Sequence, residues 1–258
     1  MRLMKRILSA AAVLALSASL LVGCSSGTAS SVPVSASSAA ESTVSSVEET
    51  ASSAVDENEA AAAQLLNDLT GSYQELWPVI LADEYKQIWL DDCTALVGEE
   101  NAEAAFEKLS SMVTSDVYGE DAVEAYANGG GAYFCGFTNS LATLTFDGET
   151  STISGTDKDG NVLFSHTYHY IGMEPVRGLY EFQSDDADSG EFTYFFLAPD
   201  TSAETYHIEF RYGSDAEALS QYDTGEYAYW LASGISTDCD QTMIDNGIEL
   251  FCTENLAG

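Results

Sequence analysis

Ala142-Thr143-Leu144-Thr145-Phe146-Asp147-Gly148 decides the fold of this 258-residue chain. Three apolar residues alternate with two threonines, the period of a half-buried β-strand. Asp147-Gly148 then signals a hairpin. Upstream, Gly129-Gly130-Gly131 marks where the period changes. Downstream, a second turn signal, Asp159-Gly160, is followed by candidate strands over 162–171, 178–183, 191–197 and 205–212. Short consecutive strands joined by turns predict an antiparallel sheet or barrel.

The region before the triple glycine reads as helical. Residues 57–69 are rich in Ala, Leu and Glu, all good helix formers. Tyr85, Ile88, Trp89 and Cys93 recur at helical spacing over 83–96. Asn101 is placed to cap a helix running to about Val113, with Ala105, Phe106, Leu109 and Met112 on one face. Helices followed by strands predict an α+β domain from Glu59 to Gly258, roughly two hundred residues built on one core.

The N-terminus has a different character. Arg2, Lys5 and Arg6 precede an apolar run that ends in Leu21-Val22-Gly23-Cys24. This pattern predicts a secretory signal peptide over 1–23, with Cys24 as the lipidated residue after cleavage. The mature protein is then expected to be lipid-anchored at the extracytoplasmic face of the cell membrane. Residues 24–58 are mostly Ser, Ala, Thr, Val and Glu, with no aromatic residue. Such a stretch buries too little apolar surface to fold, and it reads as a flexible tether.

The formal net charge is −34, from 42 acidic and 8 basic residues. That field repels nucleic-acid phosphates, so no nucleic-acid partner is expected, and it attracts cations. Beyond Cys24 the cysteines are Cys93, Cys135, Cys239 and Cys252. An even number in an exported protein permits two disulfides. Cys239 and Cys252 lie close in the chain, so the expected pairs are Cys239–Cys252 and Cys93–Cys135.

Three histidines are present, His166, His169 and His207. In a strand, His207 and Glu209 share one face with Thr205 and Arg211, while Tyr206, Ile208, Phe210 and Tyr212 share the other. Imidazole beside carboxylate suits zinc. The competing reading is a solvent-facing polar stripe in which Glu209 pairs with Arg211 or a cross-strand partner. His166 and His169, three apart, fall on opposite faces of a strand and are expected to act singly. Asp157-Lys158-Asp159-Gly160 lacks the rest of a calcium loop and reads as a turn. The acidic run from Asp185 to Gly190 reads as a solvated connection. The sequence contains no G-x-S-x-G elbow, H-E-x-x-H pair or glycine-rich phosphate loop, so no enzyme is expected.

Several segments together resemble the ZinT (YodA) family of extracytoplasmic zinc-binding proteins. Gly71-Ser72-Tyr73-Gln74-Glu75-Leu76-Trp77-Pro78 is similar to that family's opening G-x-W-Q-S-V-Y-P. Asp159-Gly160 with Gly178-Leu179-Tyr180-Glu181-Phe182 resembles its central hairpin. Phe195-Phe196-Leu197-Ala198-Pro199 resembles D-H-x-I-A-P, and His207 to Asp215 resembles H-F-H-I-F-x-G-N-D.

The resemblance implies a lipocalin-like (calycin) antiparallel β-barrel preceded by helices, and zinc held by three histidines. It also implies a role in supplying or buffering metal near an uptake transporter. Phe195 stands where the family has its first histidine. The H-x-H pair falls either on His207 and Glu209 or on Thr205 and His207, so His207 is a ligand position in both registers. The family's disulfide positions, near Gly155 and Gln183, hold no cysteine. Two expectations follow. One is a zinc or other divalent-metal site at His207 and Glu209, inside or at the mouth of the barrel. The alternative is a calycin-like module that has lost the metal and holds an apolar ligand or a surface partner.

Overall fold

The structure, a computed structural model, describes residues 57–198 and 207–257. Cys24 with the lipobox, residues 24–56 of the expected tether, and Thr205 lie outside the described residues. Glu48–Gly258 forms one compact unit.

Eight strands make a closed antiparallel barrel in simple chain order. They are β1 (Gly71–Glu75), β2 (Thr143–Asp147), β3 (Thr152–Thr156), β4 (Val162–Met173), β5 (Tyr180–Ser184), β6 (Tyr194–Leu197), β7 (Ile208–Gly213) and β8 (Ala232–Ser236). β8 returns to pair with β1, with Tyr73 opposite Ser236 and Glu75 opposite Gly234. Closure leaves no unpaired edge strand. The antiparallel barrel expected from the alternating strands is therefore present, in the calycin-type form that the family resemblance implies.

Period-two alternation sends one residue of each pair inward. Phe182, Phe195 and Tyr212 lie opposite one another across β5, β6 and β7. Leu197 and Phe210 form the next row. Rings from non-adjacent strands meet across the interior, with Phe164 of β4 and Phe195 of β6 at 5.8 Å between centroids. Tyr168 and Phe195 meet edge-on at 5.4 Å. Aromatic side chains fill this barrel.

A helix over 57–68, α1, packs Leu65 and Leu66 onto the interior cluster, joined by Leu69 just beyond it. Its approach explains Gly148. A Cβ there would lie 2.4 Å from the Asn67 Cα. Gly148 is thus required by close packing, while the left-handed backbone of the β2–β3 turn falls on Ser151, at φ 52°. The second turn is held by Asp157, whose carboxylate accepts the backbone N–H groups of Asp159 and Asn161, each at 2.9 Å.

The structure corrects the sequence reading in three places. Gly71–Glu75, inside the region expected to be helical, is β1, the strand that closes the barrel. The single core is two clusters. The second joins α2 (Leu76–Ile80), α3 (Lys86–Val97), α4 (Ala102–Ser111) and α7 (Gln241–Leu256) to Ile235 of β8, while α5 (Glu120–Ala127) contributes nothing to it. Ile235 neighbours inward-facing Gly234 and so points to the other side of the wall, which divides the apolar residues.

The third correction is α7 itself, because helices are not confined to the region before the strands. Ile244, Ile248 and Cys252, spaced by four, form its buried stripe. Asp240 caps it, accepting the Met243 N–H at 3.0 Å. Asn101, in contrast, does not cap α4. Its side-chain amide donates back to the Val97 carbonyl.

Neither expected disulfide occurs, and Cys93, Cys135, Cys239 and Cys252 are free thiols. The loop staple Cys239–Cys252 fails because 241–256 is a helix that carries Cys252 into the second core. There it meets Cys93 of α3, Sγ to Sγ at 4.0 Å.

Candidate functional site

β7 positions the site. Ile208, Phe210 and Tyr212 are buried in the interior cluster, so His207, Glu209 and Arg211 take the outer side. His207 Nε2 lies 3.8 Å from Glu209 Oε1, with the side chains 22% and 32% exposed. At that distance the contact is electrostatic, and it is an ion pair only when the imidazole is protonated. The pair is neither a solvated stripe nor inside the barrel. Of the two expected locations, inside the barrel or at its mouth, the first is excluded, because the aromatic side chains already occupy the inner face.

Burial pulls the Glu209 carboxyl upward, but His207 and the guanidinium of Arg177 outweigh it and hold the group below the ordinary carboxylate range. Glu209 is therefore ionised at neutral pH. Its strand partner on β8 is Ser233, whose N–H reaches the Cys135 carbonyl at 3.0 Å. Burial, with the Glu209 charge adding to it, pushes the Cys135 thiol up to about 12. Without a metal it therefore stays protonated at neutral pH.

Arg211 does not pair with Glu209. It is fully buried, and its guanidinium donates to the carbonyls of Leu219 and Tyr227 and, at 3.2 Å, of Gln221. Two of these acceptors, Gln221 and Tyr227, lie beyond α6 (Ala216–Leu219), the short helix capped by Asp215. Burial lowers the Arg211 pKa to about 10.

The Tyr222 ring takes two cations, with Arg211 Cζ at 4.3 Å and Arg177 Cζ at 4.2 Å. Arg177 also donates to the Tyr133 hydroxyl at 3.1 Å. Buried Glu174 accepts the N–H groups of Val176 and Arg177. This network of Arg177, Glu174, Tyr222 and Tyr133 is invisible in the sequence. Apart from neighbouring Glu174 and Arg177 its members are far apart in the chain, and Arg211 bonds to main-chain carbonyls that no side-chain pattern announces.

The other histidines sit on opposite sides of β4, as their spacing predicts. His166 shares the inner side with Phe164 and Tyr168 and is 17% exposed, while His169 is 53% exposed. Each has an aspartate of the loop after β5. His166 Nδ1 is 2.6 Å from Asp186 and His169 Nδ1 is 2.6 Å from Asp185. The acidic connection thus clasps both faces of one strand and is not merely solvated.

Zinc ordinarily takes three or four protein donors in a tetrahedral set. Among the described residues, no group of three His, Cys, Asp or Glu side chains is gathered to hold a metal. His207 and Glu209 supply two donors, so a cation there would keep water in its remaining positions. Phe195, at the position of a family histidine, points into the barrel and is fully buried. A pocket of about 310 Å³ is lined by Glu75, Trp77, Leu81, Val113, Phe134 and Cys135, among others.

No family model matches the chain, and no curated protein matches it. Among solved structures, it is similar to the Zn(II)-bound ZinT-like domain of AdcA from Streptococcus pneumoniae, at 16% identity and a TM-score of 0.44. That match covers 71% of this chain and 89% of that domain. It is similar also to Zn(II)-bound AdcA from the same organism, at 16% identity and a TM-score of 0.43. There it covers 72% of this chain but only 35% of AdcA. The domain is described as ZinT-like, the family that the motifs above resemble.

Proposed function

We propose that this protein binds a divalent cation, zinc for preference, as exchangeable cargo at His207 and Glu209. We further propose that it does so from a lipid anchor at Cys24 on the extracytoplasmic face, buffering metal or passing it to an uptake transporter. The observation that carries the cation site is the His207–Glu209 pair. An imidazole and a carboxylate held below its ordinary pKa lie 3.8 Å apart at the start of β7 and remain partly open to solvent. A net charge of −34 concentrates cations around the chain. Two protein donors with water completing the shell make a site that loads and unloads, as buffering or delivery requires. Arg177 opposes the cation and weakens the site further.

The anchor and location rest on Leu21-Val22-Gly23-Cys24 and the tether sequence that follows. Mass spectrometry of the mature N-terminus is expected to find a diacylglyceryl cysteine. An unmodified Cys24 in the membrane fraction would refute it.

Metal that binds only the folded state stabilises it by mass action, by about 2.7 kcal/mol at a hundredfold excess over the dissociation constant. Zinc is therefore expected to raise the melting temperature of the wild type and not of His207→Ala. The shift should shrink at acid pH, where protons compete for the donors. A wild-type melting curve unmoved by millimolar zinc would overturn the cation reading.

The second reading, an apolar-ligand module, is favoured by one observation, the 310 Å³ pocket beside Trp77 and Phe134. The barrel interior itself is filled. Quenching of tryptophan fluorescence by a small apolar probe, lost in Val113→Trp, would support that reading.

A further inference from the structure

Cys93 and Cys252 come from different helices, 159 residues apart in the chain, yet their sulfurs lie 4.0 Å apart. Both residues are fully buried. Neither thiol has a role in the cation site. Each sits on its helix's buried side, beside Trp89 of α3 and Ile248 of α7, in the core that also holds Phe251 against Trp77 and Trp89. The two helices thus present the sulfurs to each other through side-chain packing, at about twice the disulfide bond length of about 2.05 Å. Cys135 and Cys239 belong to other surroundings. Cys135 is held beside Ser233 and Trp77, and Cys239 precedes α7 with its N–H on the Ser236 carbonyl.

We propose that Cys93 and Cys252 form a disulfide that locks the C-terminal helix α7 to α3, leaving Cys135 and Cys239 as thiols. The oxidant is an external disulfide, such as oxidised glutathione or the disulfide of a thiol oxidoreductase. In the exchange both S–H bonds break and the Cys93–Cys252 S–S bond forms. The external disulfide takes up two electrons and two protons and leaves as two thiols. Burial raises both thiols above their ordinary range, so exchange is slow in the closed fold. It proceeds while the chain folds, or when α7, the last element described, lifts away. The crosslink closes a long loop, the case in which a disulfide restricts the unfolded chain most.

The test uses the full chain refolded from urea in a glutathione redox buffer, so that burial hides no thiol. Free thiols are then alkylated and the protein is mapped by peptide mass spectrometry without reduction. The expected product links the peptides of Cys93 and Cys252, with Cys135 and Cys239 alkylated. The oxidised form should melt about 10 °C above the reduced form, and dithiothreitol should abolish the difference. A Cys93→Ala, Cys252→Ala double variant should show no redox-dependent shift. Alkylation of all four cysteines, or a dominant Cys239–Cys252 or Cys93–Cys135 link, would overturn the proposal.

Discussion

The two sides of β7 follow different rules. The inner side, with Ile208, Phe210 and Tyr212, packs on apolar and aromatic residues, with only the Tyr212 hydroxyl bonded to the Thr138 backbone, and its cohesion comes mainly from burial and ring contacts. The outer side, with His207, Glu209 and Arg211, carries charge into a half-covered layer where each group needs its own compensation. Arg211 finds it in main-chain carbonyls and Tyr222, and Glu209 finds it in His207 and Arg177. The inner side therefore holds the fold together, and the outer side is where chemistry is available.

The largest way to break this contrast is at Phe195. Phe195→Ala removes a fully buried ring that touches Phe164, Tyr168, Phe210 and Tyr212. The expected loss is about 3–5 kcal/mol by urea denaturation. Phe195→His should also destabilise, and it should leave zinc affinity unchanged, because the new imidazole would face the interior and not His207. A zinc site that tightens in Phe195→His would show that the two sides communicate.

Arg211→Ala probes the outer side. It orphans the carbonyls of Leu219, Gln221 and Tyr227, each worth about 1–3 kcal/mol when buried and unmet. Partial rescue by water reduces the total to about 2–4 kcal/mol. Loss below about 1 kcal/mol would mean that the layer over β7 is already solvated.

A smaller effect sharpens the electrostatics. Arg177→Gln removes a positive charge that acts on Glu209. Zinc affinity is expected to rise a few-fold at low salt and to lose that gain at high salt, since exposed charges are screened within about 10 Å at 0.1 M. Calorimetric titrations at two ionic strengths measure it. Unchanged affinity would place the cation away from Glu209.

The inner side was legible in the sequence and the outer side was not. Alternation in Ala142–Phe146 and in 205–212 marks which residues turn inward, because the pleat enforces a period of two. Burial of the partners then follows from closure. Nothing comparable marks Arg211 as buried, since its acceptors are backbone atoms of a distant segment.

The placement of β1 was hidden for another reason. Gly71–Glu75 has no alternating pattern, and its five residues are all half-buried. α7 was readable through Ile244, Ile248 and Cys252. The Asp245-Asn246-Gly247 run, with its turn-like composition, obscured it. At the site, the pairing of His207 with Glu209 followed from strand geometry. Its position outside the barrel depended on how completely the aromatic residues fill the interior.

The central claim is that the cation sits on the outer side of β7, between His207 and Glu209. Anomalous diffraction at the zinc absorption edge, on crystals grown with zinc, locates the ion without reference to any mutant. The account predicts a peak at about 2.0–2.2 Å from His207 Nε2 and from a Glu209 oxygen, with water in the other positions. A peak inside the barrel, a peak only on surface carboxylates elsewhere, or no peak at all would contradict it.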